Sequence, residues 1–292
     1  MPSDLMSAEF YKDPGAFFDA YGQTLEQNEV EHSLILSLIA RALDKKITRL
    51  PFDAWFGVAS SKNQPALIAL QTPPHNLVLS RAYQSGAEDF LAETLVRRGA
   101  AFPGVVGPSD VAANFINAWS RLTNQQVAAC MDQIIYSLKK VLLPPPVEGT
   151  MRFARPDEVS VIAPWIKAFA DDALPKFEHV TEEEALTRAR DMIGAQHIAV
   201  WDVAGKAVAM AGITGTPSLA RITLAYTPPE NRGKGFASAV VAHLSQHELE
   251  HGKKMCCLYA DARNPVSNSI YRKIGYEFVS RSTHYIFENS AD

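Results

Sequence analysis

Cysteine is scarce in this chain: three residues in 292, at Cys130, Cys256 and Cys257. So few, and an odd number, make no disulfide framework. Cys256 and Cys257 would face opposite sides of a strand and read as small buried hydrophobes. Also missing is any apolar run of about 18 residues, which argues against a helical membrane span. The first residues, Met1-Pro2-Ser3-Asp4-Leu5-Met6, lack the basic-then-apolar plan of a signal peptide. Neither charge dominates: 28 basic residues against 32 acidic leave a net charge of −4, so no general electrostatic case exists for nucleic acid. Neither nucleic acid nor membrane is expected as a partner, a homodimer stays open, and a reducing, cytoplasmic location is expected. With 47 % hydrophobic residues the chain can fill ordinary cores, and its length suits two domains.

What is present is a glycine-bearing turn, Asn231-Arg232-Gly233-Lys234-Gly235-Phe236-Ala237. It follows a strand-like run, 221–227, and opens a helix-like run that continues to Glu250. Two glycines there let the backbone approach a ligand closely. The free N–H groups of the first helical turn and the helix dipole favour an anion, and Arg232 and Lys234 add positive charge. The arrangement is a phosphate cradle. No Walker loop occurs, and a dinucleotide fingerprint fails at its third glycine, where Ser238 stands. Taken alone, the stretch would also serve as a plain strand-to-helix turn.

A second pattern follows. Met255 to Ala260 is an apolar run short enough for a buried strand. Asn264 then suits a helix cap and Pro265 the first helical position. Val266, Ile270 and Ile274 share one helical face, and Gly275 ends the helix. Tyr271 lies on this helix, where packing on the core with its hydroxyl at the rim is an equally ordinary role.

Arg-x-x-Gly-x-Ala, at Arg232, Gly235 and Ala237, resembles the coenzyme loop of the GNAT superfamily of acyl-CoA-dependent N-acyltransferases. Asn264, Tyr271 and Gly275-Tyr276 match that family's last motif in order and spacing. The resemblance implies acetyl-CoA as cofactor. It implies coenzyme contacts at Leu224, Ala225, Tyr226, Thr227, Arg232, Gly233, Lys234, Gly235, Phe236, Ala237, Asn264, Ser267 and Tyr271. It also implies that Tyr271 protonates the leaving thiolate. A backbone N–H near Leu224 to Tyr226 would polarise the thioester carbonyl, and the acetyl group would pass directly to a primary amine of a small molecule or peptide. Many relatives carry a Glu on this strand; here Thr223-Leu224-Ala225-Tyr226 has no carboxylate. The base is therefore unassigned among Glu230, Asp171, Asp172, Glu178 and Asp261. A coenzyme-binding sensor without catalysis is the alternative.

His247-Glu248-Leu249-Glu250-His251 fits the zinc-hydrolase pattern, with His243 extending the ladder. Gly252 ends the helix directly afterwards, no third ligand follows at a family spacing, and the same helix opens at the phosphate loop. No metal site is assigned.

Pro144-Pro145-Pro146 is the clearest linker, since consecutive prolines lack N–H donors and favour an extended path. The expected domains are 1–146 and 147–292, both α/β (α+β) and GNAT-like, each a mixed, mostly antiparallel sheet flanked by helices. The second half reads β-α-α-β-β-β-α-β-α-β-β, the GNAT order, ending in a strand pair at 277–279 and 283–287. Trp165, Phe169, Phe177 and Asp171 are candidate walls for the acceptor, set between the domains or over the first two helices of the second. The first half repeats that order weakly, from a helical region at Pro14–Leu43 to a strand at Gln133–Val141. Where a phosphate loop should stand it has Tyr83-Gln84-Ser85-Gly86-Ala87, so it reads as a degenerate copy that does not bind the cofactor in the usual way.

Overall fold

A computed structural model describes residues 6–43, 53–173 and 179–288. The chain divides into two compact units. The first holds residues up to Ile135 together with the C-terminal stretch from Val279, and the second holds Tyr136–Phe278. The expected boundary at 146/147 thus falls inside the second unit.

The first unit contains β1 (Met6–Tyr11), α1 (Pro14–Glu26), α2 (Ser33–Leu43), β2 (Trp55–Ser61), β3 (Gln64–Gln71) and β4 (Leu77–Leu79). It continues with α3 (Ala87–Arg97), β5 (Gly104–Pro108), α4 (Ser109–Thr123) and β6 (Val127–Leu138), whose last residues count with the second unit. The first strand escaped the sequence reading. It is an antiparallel edge on β2 whose side chains are only partly covered, so no buried run marks it. Central strands read as continuous apolar runs because both faces are covered. Along β3, Leu67 and Ala69 join a core with Leu91 of α3 and Phe115 of α4. Ile68 and Leu70 join the opposite core with Phe17 of α1 and Ile35 of α2. The strand period of two thereby sorts the helices onto two faces.

The second unit contains β7 (Thr150–Phe153), a 3₁₀ turn at Pro156–Glu158, α5 (Val159–Ala173), α6 (Glu182–Gly194), β8 (Ile198–Val203) and β9 (Lys206–Gly215). Then come β10 (Leu219–Tyr226), α7 (Phe236–Glu250), β11 (Met255–Asp261), α8 (Pro265–Ile274) and the start of β12 (Glu277–Phe287). Strand order runs β11-β10-β9-β8-β7. The β7–β8, β8–β9 and β9–β10 pairs are antiparallel and β10–β11 is parallel. A core of Ile162 and Ile166 on α5, Ala189 and Ile193 on α6 and Val200, Met210 and Leu224 on the sheet covers one face.

Local signals explain most boundaries. Thr181 accepts from the Glu184 N–H and the Glu184 carboxylate accepts from the Thr181 N–H, closing a capping box at the start of α6. Asp157 lies inside the 3₁₀ turn. There Glu158 accepts the Arg155 N–H at 2.8 Å and pairs with Arg152, whose guanidinium also meets Asp202. The expected final strand pair is one continuous strand, β12. No Gly or Pro interrupts 280–282, and Ser282 is held by pairing with Pro108 and by donating to the Gly107 carbonyl at 2.9 Å.

Candidate active site

The site begins with a fault in β10. Thr223 pairs with Gly212, but the next paired residue, Tyr226, meets Met210. Leu224 and Ala225 therefore stand opposite a single residue, which is a β-bulge. Leu224 takes the left-handed conformation, φ 52°, unusual for a branched side chain. Its side chain is buried in the core under α5 and α6, and that packing holds the backbone in place.

On the other side of β10, the parallel ladder with β11 covers only Leu219–Arg221 against Met255–Cys257. Both strands continue beyond it, so among the described residues the end of β10 keeps amide groups on that side without a strand partner. At its close, the Thr227 hydroxyl is buried with no hydrogen-bond partner among the described residues.

The chain then makes a 3₁₀ turn at Pro229–Asn231 and enters α7 through two left-handed glycines, Gly233 (φ 79°) and Gly235 (φ 82°). A Cβ at Gly233 would meet open space, whereas one at Gly235 would lie 3.1 Å from Val147. Gly235 is the N-cap and offers no side chain, so the N–H groups of Phe236, Ala237 and Ser238 lack acceptors within the helix. The Arg232 Nε–H donates to the Thr227 carbonyl at 3.0 Å, and a terminal N–H donates to Asp172 at 2.9 Å. Its guanidinium carbon lies 5.9 Å from the Tyr226 ring centre. Lys234 reaches Asn231 at 3.5 Å.

Residues expected on the second motif lie on α8. The Asn264 side chain accepts from the Ser267 N–H at 3.1 Å, making it the helix cap, and the Ser267 hydroxyl donates to the Asn264 carbonyl. Asn268, which the sequence reading passed over, is buried. It donates to the carbonyls of Asp261 and Asn264 and accepts from the Tyr136 hydroxyl at 3.0 Å, locking the β11–α8 turn. An asparagine inside a helix is the one signal that could have flagged it, since such residues seek backbone partners.

Tyr271 packs its ring 6.0 Å from Tyr276 and 6.3 Å from Tyr136. Tyr276 in turn bonds Ser245 of α7 at 2.8 Å. Burial pushes the Tyr271 phenol up to about 12. No hydrogen bond joins its hydroxyl to the loop among the described residues.

The candidate bases are already engaged. Asp171 meets Lys167 at 2.8 Å and His179 at 3.3 Å, Asp172 meets Arg232, and Asp261 accepts the Arg263 N–H. Glu230 is exposed in the 3₁₀ turn, and Glu178 lies outside the described residues. Trp165 and Phe169 pack against the core rather than standing free as walls, while Phe177 lies outside the described residues. Among the described residues, no three His, Cys, Asp or Glu side chains are grouped to hold a metal. Glu248, the would-be zinc base, is buried, and the His247 and His251 rings stack at 3.9 Å.

The first unit has a turn of the same shape. Gly86 caps α3 with φ 80° and ψ 2°, against 82° and 0° at Gly235. A cavity of about 550 Å³ opens there, lined in part by Tyr83, Gln84, Glu88 and Asn114. Glu88 and Asp89 occupy the first turn of α3, Asp89 paired with Arg121 of α4, so acidic residues stand at the turn where the second unit has Arg232 and Lys234.

Residues 203–286, the segment holding the bulge, the cradle and Tyr271, match the family described as FR47-like protein. Among solved structures, the chain is similar to a GCN5-related N-acetyltransferase from Sphaerobacter thermophilus, at TM-score 0.62 and 14 % identity, covering 100 % of this chain and 98 % of that one. It is similar to a GNAT-family acetyltransferase from Colwellia psychrerythraea, at TM-score 0.58 and 12 % identity, covering 97 % and 100 %. A tandem GNAT protein from the clavulanic acid biosynthesis pathway aligns at TM-score 0.54 and 11 % identity, covering 98 % and 100 %. No curated protein sequence matches the chain. Residues 203–286 thus match the FR47-like family, and the chain as a whole shares its fold with GNAT acetyltransferase structures, a tandem one among them.

Proposed function

We propose that the chain is an acetyl-CoA-dependent N-acetyltransferase that uses its second unit to move an acetyl group directly to a primary amine of a small molecule or peptide. The observation that carries this reading is the run from a bulged, half-unpaired β10 straight into a glycine cradle at the start of α7. The site suits the coenzyme: the cradle is open at Gly233, its N–H groups are free, and Thr227 has an unsatisfied hydroxyl. When bound, acetyl-CoA supplies an activated thioester.

The chain's own residues divide the remaining work. The N–H groups of Gly233 to Ala237 bind the pyrophosphate, helped by Arg232 and Lys234. Amides on the open side of β10 hold the pantetheine arm. An N–H of the bulge, at Leu224 to Tyr226, polarises the carbonyl oxygen. The amine nitrogen would form the new bond to the thioester carbon as the C–S bond breaks, its surplus proton passing to solvent water, from which Tyr271 is reprotonated after serving the sulfur. Much of the rate comes from holding both partners in one geometry. Tyr271 gives the departing sulfur its proton, while Asn264 and Ser267 set the start of its helix.

Calorimetric titration with coenzyme A and thiol release from acetyl-CoA across an amine panel test the proposal. Wild type should bind and turn over with at least one amine class. Gly235→Glu should lose binding, because its side chain meets Val147 and brings a negative charge to the cradle. Unchanged affinity in that variant would remove the site assignment. A second reading, a coenzyme-binding sensor, draws on the engagement of Asp171, Asp172 and Asp261 with other partners. Binding without turnover across the whole panel would favour it.

A further inference from the structure

Arg232 of the phosphate loop is paired with Asp172 of α5. Asp172 stands in the last turn of α5, beside Asp171, and that turn carries no basic residue. Carboxylates at the negative end of a helix weaken it. Asp171 is answered by Lys167 within its own helix and by His179. Asp172 is answered across the fold, by the arginine of the phosphate loop at 2.9 Å. Both members of the pair keep more than half of their side-chain surface exposed, 53 % and 58 %. A dissolved ligand can therefore reach the guanidinium.

The surroundings of Arg232 fix where it can turn. Its Nε–H is spent on the Thr227 carbonyl and the Tyr226 ring lies beside it, while the terminal N–H toward Asp172 is the one that meets an anion. A phosphate settling on the free N–H groups of the cradle would take the same guanidinium, and two anions on one cation repel each other. Trp165 of α5 also packs 6.3 Å from Tyr226, so this helix and the end of β10 share one cluster.

We propose that Asp172 is an internal competitor for the coenzyme's phosphate. It neutralises Arg232 and fastens the last turn of α5 to the loop, and coenzyme binding displaces it. The inference rests on the reading of the loop as a coenzyme cradle. It adds that donor binding releases the end of α5 from the loop.

The test is calorimetric titration with coenzyme A at fixed ionic strength, using wild type, Asp172→Asn, Asp171→Asn, Arg232→Ala and the double variant Arg232→Ala/Asp172→Asn. An exposed pair is a weak competitor, so Asp172→Asn should tighten binding about two- to fivefold. Asp171→Asn, which removes the same charge one residue away, should do less. Arg232→Ala should weaken binding roughly tenfold through the lost charge-assisted contact, and adding Asp172→Asn to it should change nothing further. Unchanged or weaker binding in Asp172→Asn would overturn the proposal. So would equal tightening in the Arg232→Ala background, which would mean a general charge effect. Failure of wild type to bind coenzyme A at all would instead defeat the cradle reading itself.

Discussion

Tyr271 shows how a residue's surroundings set its chemistry. A free phenol titrates near ~10, close to a thiol at ~8.5, and that closeness makes a tyrosine a plausible acid for a departing sulfur. Burial between Tyr136 and Tyr276 pushes this one up to about 12. The proton is then firmly held at neutral pH, and the phenol is the weaker acid. Its contribution should fall near the low end for general acids, so Tyr271→Phe should lower kcat about a hundredfold and leave coenzyme affinity within about twofold. Steady-state kinetics with parallel calorimetry checks this. Because the pKa is raised, any loss of turnover between pH 8 and 10 should persist in Tyr271→Phe, since Tyr271 is not the group titrating there. The place of Tyr271, on a helix capped by Asn264 and ended by Gly275, was legible in the sequence. Its acidity was not, because that depends on Tyr136, which comes from β6 and is remote in the chain.

At the level of elements, α7 and β10 differ in how much of them could be read. The start of α7 is written locally, in two glycines that admit a left-handed backbone. The bulge in β10 is not, since 221–227 reads as an ordinary strand and Leu224 carries no turn signal. It arises from the pairing with β9 and from the burial of Leu224 under α5 and α6. The hold on β7 is similarly tertiary: Arg152 bridges Glu158 and Asp202 across three elements. Hydrogen bonds from Arg152 depress the Glu158 carboxyl to about 2. The unfolded chain takes up this proton near pH 4.5, so the stabilisation is complete above that value and is lost as pH falls through about 2. It amounts to about 3 kcal/mol. Denaturant unfolding followed at β7 and α5 should show that loss between pH 4.5 and 2. Arg152→Ala should already be destabilised at pH 7, by about 1–3 kcal/mol, since Glu158 keeps only Arg155 and Asp202 loses its cation. A shallow acid response in wild type would show that the network contributes little.

In the whole molecule, one fold occurs twice with opposite charge at the matching turn. Gly86 and Gly235 have nearly the same backbone angles. Yet Arg232 and Lys234 lead into one helix, while Glu88 and Asp89 open the other. Carboxylates satisfy the N-terminal end of α3 and repel a phosphate. Calorimetry should therefore give one coenzyme A per chain, and the Gly235→Glu variant should show no residual site; a stoichiometry of two would mean that the first turn still binds. The sequence by itself determined the glycine turn that opens α7 and the Asn264-capped helix that carries Tyr271. Both are encoded within a few adjacent residues, where spacing and residue type decide conformation. Only the tertiary structure decided the bulge at Leu224, the open side of β10, the return of β12 to the first unit and the meeting of Asp172 with Arg232. Each of these joins residues distant in the chain, and strand pairing and packing choose among alternatives that local pattern leaves equal.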